Sequence, residues 1–453
     1  MLINSVYLKY ISNKCRIVTF ISLALLPMWA YCQDFDPLVR QAWANNQELK
    51  AKHFQLESAT QALLEAKAMY GPEVKFGVQY TLAAGGRSIA LLVGDLLNPV
   101  YSTLNQLTQS NAFPQIQNVK EQFLPNNFYD ARFRVSQPIY YPDLAINKRL
   151  KTELIEQKNL EIKAFKRMIS KQVMQAYIQY AATQHVINIY QSADTLLAEA
   201  KRSTHSMIKN GVALPTALSR LENQNAELIS QKTEATANHA NAAHYLRFLL
   251  GLNDNDELPV VEEVYQMPPN ALASGSEREE LLQLNQAIKL QTLSIEKENN
   301  FYLPKLAAQL DAGSQDYNFG WQPYAILGVN LEMNIFDSKK HSYRKQSAKT
   351  EIAAIQATYE QADQQIELQR QIAKENLDAA IVQANVYESR IKATKKIYDE
   401  VFTKYKIGNA SYIELIDAQN QFTSIQLHHL LAKNNAWIKW SEYVYALALF
   451  PIQ

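Results

Sequence analysis

Residues that interrupt helices are scarce in this chain: 453 residues hold only 12 glycines and 15 prolines. They are bunched rather than scattered, which leaves long stretches free to continue as helix. Cysteine is nearly absent, with two in all. Both, Cys15 and Cys32, lie near the N-terminus, so neither a disulfide framework nor a thiolate site is available further along. An excess of one charge is also lacking. The formal net charge is +1, which argues against a polyanionic partner such as nucleic acid. Beyond the N-terminal segment no stretch reaches the roughly 18 apolar residues of a membrane helix. Any membrane-spanning part must therefore be strands closed into a barrel.

Constellations that carry chemistry are missing too. The eight histidines are dispersed; adjacent His428 and His429 would point about 100° apart on a helix, and His239 and His244 are spaced i,i+5. No phosphate-cradling glycine loop or nucleophile motif occurs, and the eight methionines do not cluster. The expectation is no catalytic residue, no metal and no cofactor.

What is present begins with an export signal at residues 1–32. Lys9, Lys14 and Arg16 precede the apolar run 17–26, and Ala30-Tyr31-Cys32 is a small-residue cleavage site, which predicts a mature chain starting near Gln33. The rival reading makes Cys32 the acylated residue of a lipoprotein, although Trp29-Ala30-Tyr31 is a poor approach to such a cysteine.

The chain then repeats itself. Tyr70-Gly71-Pro72-Glu73-Val74-Lys75 returns as Tyr302-Leu303-Pro304-Lys305-Leu306, and 133–140 (FRVSQPIY) returns as 329–336 (VNLEMNIF). Residues 33–250 form the first repeat: a helix, a strand pair over 73–140 with a long loop at 83–127, and a helical hairpin over 143–250. Residues 251–275, rich in Pro, Gly, Asn and acids, are a linker. Residues 276–453 form the second repeat: a helix, a strand pair over 305–336 and a hairpin over 337–450.

Neither 143–210 nor 329–407 contains glycine or proline, so each stretch can be one helix. A 68-residue helix is about 100 Å long, which requires neighbours along its length. Ile352, Ile355, Tyr359, Ala362 and Ile366 follow 3,4 spacing, as do Ile413, Ile416, Asn420, Thr423, Leu427 and Leu430; this is a coiled-coil seam. Gly211 and Gly408 end the long helices and mark hairpin tips, with Pro215 in the first turn of a returning helix.

The strands alternate. Val74, Phe76, Val78, Tyr80 and Leu82 oppose Lys75, Gln79 and Thr81, and Tyr129, Ala131, Phe133 and Val135 oppose Asp130, Arg132 and Arg134. Ala325, Leu327, Val329, Leu331 and Met333 repeat the pattern, which is weaker at 306–312. Such segments suit a barrel in lipid or a half-buried soluble sheet; the export signal and tall helices favour the barrel. Four strands cannot close one, so the chain must oligomerise. Three copies would give twelve strands, though arithmetic alone permits two or four. The loop 83–127 could lie on the surface, cover the mouth or plug it.

The segment Tyr405-Lys406-Ile407-Gly408, followed by Ser411, Glu414, Leu415, Asp417, Ala418 and Gln419, resembles the hairpin-tip signature of TolC-type outer membrane efflux proteins. Gly211-Val212-Ala213-Leu214-Pro215-Thr216, leading into Leu218, Arg220 and Glu222, is similar to the variant of the first repeat. The resemblance implies a mainly α fold with a transmembrane β-barrel, built from a duplicated unit of long coiled-coil hairpin and strand pair. Three subunits would form a twelve-stranded barrel in outer membrane lipid and an α-helical periplasmic tunnel. It further implies a periplasmic adaptor and an inner-membrane pump of RND, ABC or MFS type.

On the same resemblance, Glu414, Asp417 and Tyr405 belong to the periplasmic gate. Three-fold repetition would place six carboxylates around one constriction, where they would concentrate cations and repel anions. Gly211, Val212, Leu214, Pro215, Thr216, Gly408, Ser411, Tyr412 and Ile413 become adaptor contacts. The latch bonds of some members do not carry over, because Ala410 stands where those members have arginine. Read by themselves, Glu414 and Asp417 could be a solvated helix face and Tyr405 plain packing. The implied function is a passive channel-tunnel of a tripartite efflux or type I secretion system. The alternative is a periplasmic or surface scaffold that binds partners without conducting, and an enzyme acting on envelope polymers lacks an acid-base pair.

Overall fold

The computed structural model describes residues 35–258, 267–269, 275–450 and 452. The expected export signal with Cys32, and most of the expected linker, lie outside these residues. In chain order the elements are helices α1 (Asp36–Asn45) and α2 (Gln47–Ala68), strands β1 (Glu73–Thr81) and β2 (Ser88–Leu91), helix α3 (Val93–Thr108), and strands β3 (Val119–Gln122) and β4 (Phe128–Tyr140). Helices α4 (Pro142–Lys209), α5 (Pro215–Leu250) and α6 (Glu279–Asn299) follow, then strands β5 (Lys305–Tyr317) and β6 (Pro323–Glu332) and helices α7 (Lys340–Lys406) and α8 (Tyr412–Ala446). Two compact units result: Thr60–Thr152 with Gln291–Lys349 forms one, and the remaining segments form the other.

The first unit is built on a four-stranded antiparallel sheet of order β1-β4-β5-β6. Its register aligns the sequence alternation row by row. Phe76 lies opposite Phe133, Phe133 opposite Ala312, and Ala312 opposite Ala325. The neighbouring row on the same face is Val74, Val135, Leu310 and Leu327. This apolar face is open: Phe76 is 61% and Leu327 76% exposed. The other face carries Lys75, Arg134 and Asp311 in one row. There Arg134 grips Asp311 with two bonds of 2.8 Å, while Asp130 accepts from Arg132 and from the Tyr324 hydroxyl, each at 2.7 Å.

A sheet with an exposed apolar face and ion pairs on the other inverts the soluble pattern. Strand β5 runs through Tyr317, beyond the weak stretch visible in sequence. Ala308 and Ala312 occupy its apolar face, and such small side chains mute the alternation. Strands β1 and β6 each pair on one side only among the described residues, leaving two edges whose backbone groups need partners in lipid.

The second unit is helical. Helices α4 and α7 run for 68 and 67 residues without a break. One core draws Val39 from α1, Ile169, Val173 and Tyr177 from α4, Leu246 from α5, Leu377 from α7 and Trp437 from α8. Burying each such side chain stabilises by about 1.5–3 kcal/mol. The expected single N-terminal helix is divided at Asn46, whose side chain accepts from the Leu49 amide at 2.8 Å and so caps a new helix.

In α7 the expected stripe is the sheltered one, with Ile366 buried. In α8 the buried stripe is instead Leu415, Ala418, Phe422 and Ile425, while Ile413 is 53% exposed and Asn420 faces solvent. Two stripes of helical spacing compete there, and the one holding Leu, Phe and Ile removes more apolar area from water than the one interrupted by Asn420 and Thr423. No helix among the described residues is long and apolar enough to cross a membrane.

Candidate functional site

The tips are built by backbone chemistry that only certain residues permit. Gly211 (φ +76°) and Gly408 (φ +77°) hold the left-handed conformation that closes a helix end at no steric cost. Around Gly211 the amides of Gly211 and Val212 return to the carbonyls of Ile208 and Met207 at 3.0 and 2.8 Å. Around Gly408 those of Gly408 and Asn409 return to Tyr405 and Lys404 at 3.0 and 2.9 Å.

The restarts differ. Pro215 opens α5 without a capping side chain, its missing N–H being one that a first turn would leave unpaired. Ser411 caps α8 with a full box: its hydroxyl accepts from the Glu414 amide at 3.2 Å, and the Glu414 carboxylate accepts from the Ser411 amide at 3.4 Å. The two tips are neighbours. A side chain at Gly408 would touch Val212 at 3.6 Å. A groove of about 610 Å³ runs between them, lined by Arg202, Met207, Asn210, Val212, Lys406 and Ile407.

Pro215, Thr216, Glu414 and Asp417 are exposed, and Tyr412 is half-buried under the Arg220 guanidinium, 5.5 Å from the ring centre. Leu214 (72%), Val212 (62%) and Ile413 (53%) present apolar side chains to solvent. Ile407 joins them at 67%, a tip residue that the motif contains but that sequence reading passed over. Asp417 accepts from Gln421 at 2.8 Å.

Tyr405 is not on this face. It is buried in a tip core with Leu197, Leu221, Leu415, Ala418 and Phe422, and its hydroxyl meets Oγ1 of Thr204 at 2.5 Å. Within one subunit, therefore, Glu414 and Asp417 share an open helix face, while Tyr405 packs beneath the opposite face of the same helix.

Further bonds tie the first hairpin to the second. Lys406 pairs with Glu199 at 2.9 Å, buried Gln419 donates to the Ala193 carbonyl at 3.1 Å, and Gln224 and Asn420 face each other with amide bonds of 3.1 and 3.5 Å. These partners are some two hundred positions apart in the chain, and nothing local in the sequence announces them. Among the described residues no cluster of three or more His, Cys, Asp or Glu could hold a metal ion.

The family model described as outer membrane efflux protein matches residues 274–442, the stretch containing β5, β6, α7, the second tip and most of α8. The second repeat is thus similar to outer membrane efflux protein domains. No curated protein matches the chain.

Solved structures extend the likeness to nearly the whole length. VceC from Vibrio cholerae aligns with a TM-score of 0.68 at 13% identity, covering 93% of this chain and 98% of its own. The Campylobacter jejuni CmeC outer membrane channel aligns at 0.69 and 14%, covering 92% and 86%. The open state of the Neisseria gonorrhoeae MtrE outer membrane channel gives 0.68 and 14%, covering 92% and 90%. At such identities the likeness is one of fold. It reaches the first repeat, where the efflux-protein model does not match, through the order and pairing of elements alone.

Proposed function

We propose that three copies of this chain close a twelve-stranded barrel in the outer membrane and that their hairpins enclose a tunnel in the periplasm. The tunnel conducts solutes passively from an energised inner-membrane pump, joined through a periplasmic adaptor, to the outside. The observation that carries this reading is the sheet: four strands with an apolar face turned outward, ion pairs on the other face and two unpaired edges. In lipid that arrangement is stable only if neighbouring copies pair with both edges. Three copies fit the likeness of the second repeat to outer membrane efflux proteins.

The exposed tips are the adaptor-facing surface, with Val212, Leu214, Ile407 and Ile413 as apolar anchors around the groove at Gly408. Glu414 and Asp417, exposed on their helix face, are the carboxylates of the entrance. Tyr405 acts beneath them by holding the two hairpins of one subunit together. Opening is a change in how the second hairpin packs on the first, biased by whatever binds the tips. Residues 1–32 direct export and are removed.

Planar-bilayer recording of the purified trimer tests the reading. Cation-selective steps are expected, losing selectivity when Glu414→Gln and Asp417→Asn are combined. A detergent-free soluble monomer that gives no steps would overturn it in favour of a partner-binding scaffold.

A further inference from the structure

The insertion between β1 and β4 is a folded body. Strand β2 pairs antiparallel with β3, Ser88 opposite Gln122 and Leu91 opposite Val119. Helix α3 then lies against the returning chain, held by two asparagines seven residues apart. Asn98 donates its amide to the Ile116 carbonyl at 2.9 Å and accepts the Ile116 N–H at 2.8 Å. Asn105 does the same with Phe113 at 2.7 and 3.0 Å. Each asparagine thus satisfies both backbone groups of one residue in a segment that has no strand partner there.

This fixes which way α3 faces. At about 100° per residue, Asn98 and Asn105 share one side, and Val93, Leu96, Val100 and Leu107 share the opposite side. That side is uncovered, with Leu96 75% and Leu107 77% exposed. The insertion leaves the end of the sheet that also bears the β5–β6 turn: the Asn318 amide donates to the Asn127 carbonyl at 2.8 Å, and Phe319 stacks on Tyr80 and Tyr129.

We propose that the apolar side of α3 docks onto the α3 helices of neighbouring copies of this chain, three of them meeting over that end of the barrel. The proposal rests on the trimeric reading above. Two features select a second copy as the occupant. The side has the 3- and 4-residue spacing of a helix–helix seam, with Leu104 completing it between Val100 and Leu107. Charge then disfavours the other candidate, the anionic lipid surface. A helix lying on such a surface carries Lys and Arg on its polar side, whereas α3 has Asp95 as its sole charged residue. Closure of the barrel through β1 and β6 supplies the geometry, since it sets each copy's α3 around a common axis at one height.

Single cysteines placed at Leu96 and at Gln106, on different faces of α3, test this in the full-length protein in outer-membrane vesicles. On mild oxidation L96C is expected to shift from the one-subunit to the two-subunit band on a non-reducing gel, and Q106C is not. L96Q, which keeps the trimer, is expected to enlarge the conductance step. A native trimer in which L96C and Q106C both stay at the one-subunit band, with a spin label on L96C relaxed by membrane-dissolved oxygen, would assign the face to lipid and overturn the proposal. A protein that is not a trimer at all would instead overturn the functional reading beneath it.

Discussion

The Tyr405 hydroxyl lies 2.5 Å from Oγ1 of Thr204, and Thr204 gives its own proton to the Ala200 carbonyl at 2.8 Å. A hydroxyl has one proton to give, so Tyr405 is the donor and Thr204 the acceptor. This fully buried bond joins the second hairpin to the first, just inside the tips.

Removing one partner and removing both should therefore differ. Tyr405→Phe loses a buried hydrogen bond worth about 1 kcal/mol, and Thr204→Val strands the Tyr405 hydroxyl at a cost of about 1–3 kcal/mol. The double variant should be less destabilised than the sum of the two. Thermal loss of trypsin protection at the tips measures all three, and each single variant should also open more often in bilayers.

A second contact between the hairpins should respond to acid. His185 of α4 and His429 and Lys433 of α8 line a cavity of about 290 Å³ with Asn188, Gln426 and Asn434. Burial, then the neighbouring Lys433 charge, holds both histidines below the ordinary histidine range, with Glu388 of α7 opposing weakly at His429. Groups kept neutral in this way stabilise the fold above the ordinary value near pH 6.5. That stability is lost as pH falls through their lowered values. Denaturation midpoints should therefore drop from pH 7.5 to pH 5.5, and His185→Gln with His429→Gln should flatten the slope.

Tyr398 gives the opposite pH profile. Its ring stacks with Phe402 and Phe422, its hydroxyl is buried without a hydrogen-bond partner, and burial pushes its ionisation up to about 12. A raised value favours the protonated fold, so stability is complete below pH 10, the ordinary tyrosine range, and declines as pH climbs towards 12. Tyr398→Phe should remove the alkaline decline and stabilise at neutral pH, because it deletes an unsatisfied polar group. Equilibrium unfolding at pH 8 and pH 11 checks both.

Legibility in the sequence followed the range of the interactions involved. The outer strands announced themselves because Val74, Phe76 and Val78 alternate with polar residues at period two. Both tips did so because only glycine takes the turn at Gly211 and Gly408 freely. Strand β5 was faint, since Ala308 and Ala312 give little hydrophobic contrast. In α8 the seam at Ile413, Ile416 and Asn420 lost to Leu415, Ala418 and Phe422, a choice decided by partners on other helices. The folded insertion was hidden for another reason: its strands are four residues long, and its clip depends on Asn98 and Asn105 bonding backbone that any sequence would supply. Thr204, Glu199 and Gln419 became visible only when the hairpins were brought together.

The ion pair of Arg167 with Glu279 is the most deeply buried among the described residues, each side chain about 5% exposed or less. Arg167 meets the carboxylate with bonds of 2.8 and 2.5 Å and donates to the Phe450 carbonyl at 2.8 Å. It thereby ties α4 of the first repeat to the start of α6 and to the end of the second repeat. Desolvation offsets much of the attraction in such a pair, so the pair as a whole adds little, but either charge left alone is costly. Arg167→Met should destabilise by about 3–5 kcal/mol. Adding Glu279→Leu should recover most of that loss, leaving about 1–3 kcal/mol for the unpaired Phe450 carbonyl. Heat resistance of the purified assembly would rank the variants. A double variant no better than Arg167→Met alone would show that the bond to the Phe450 carbonyl, rather than the charge pair, holds this junction.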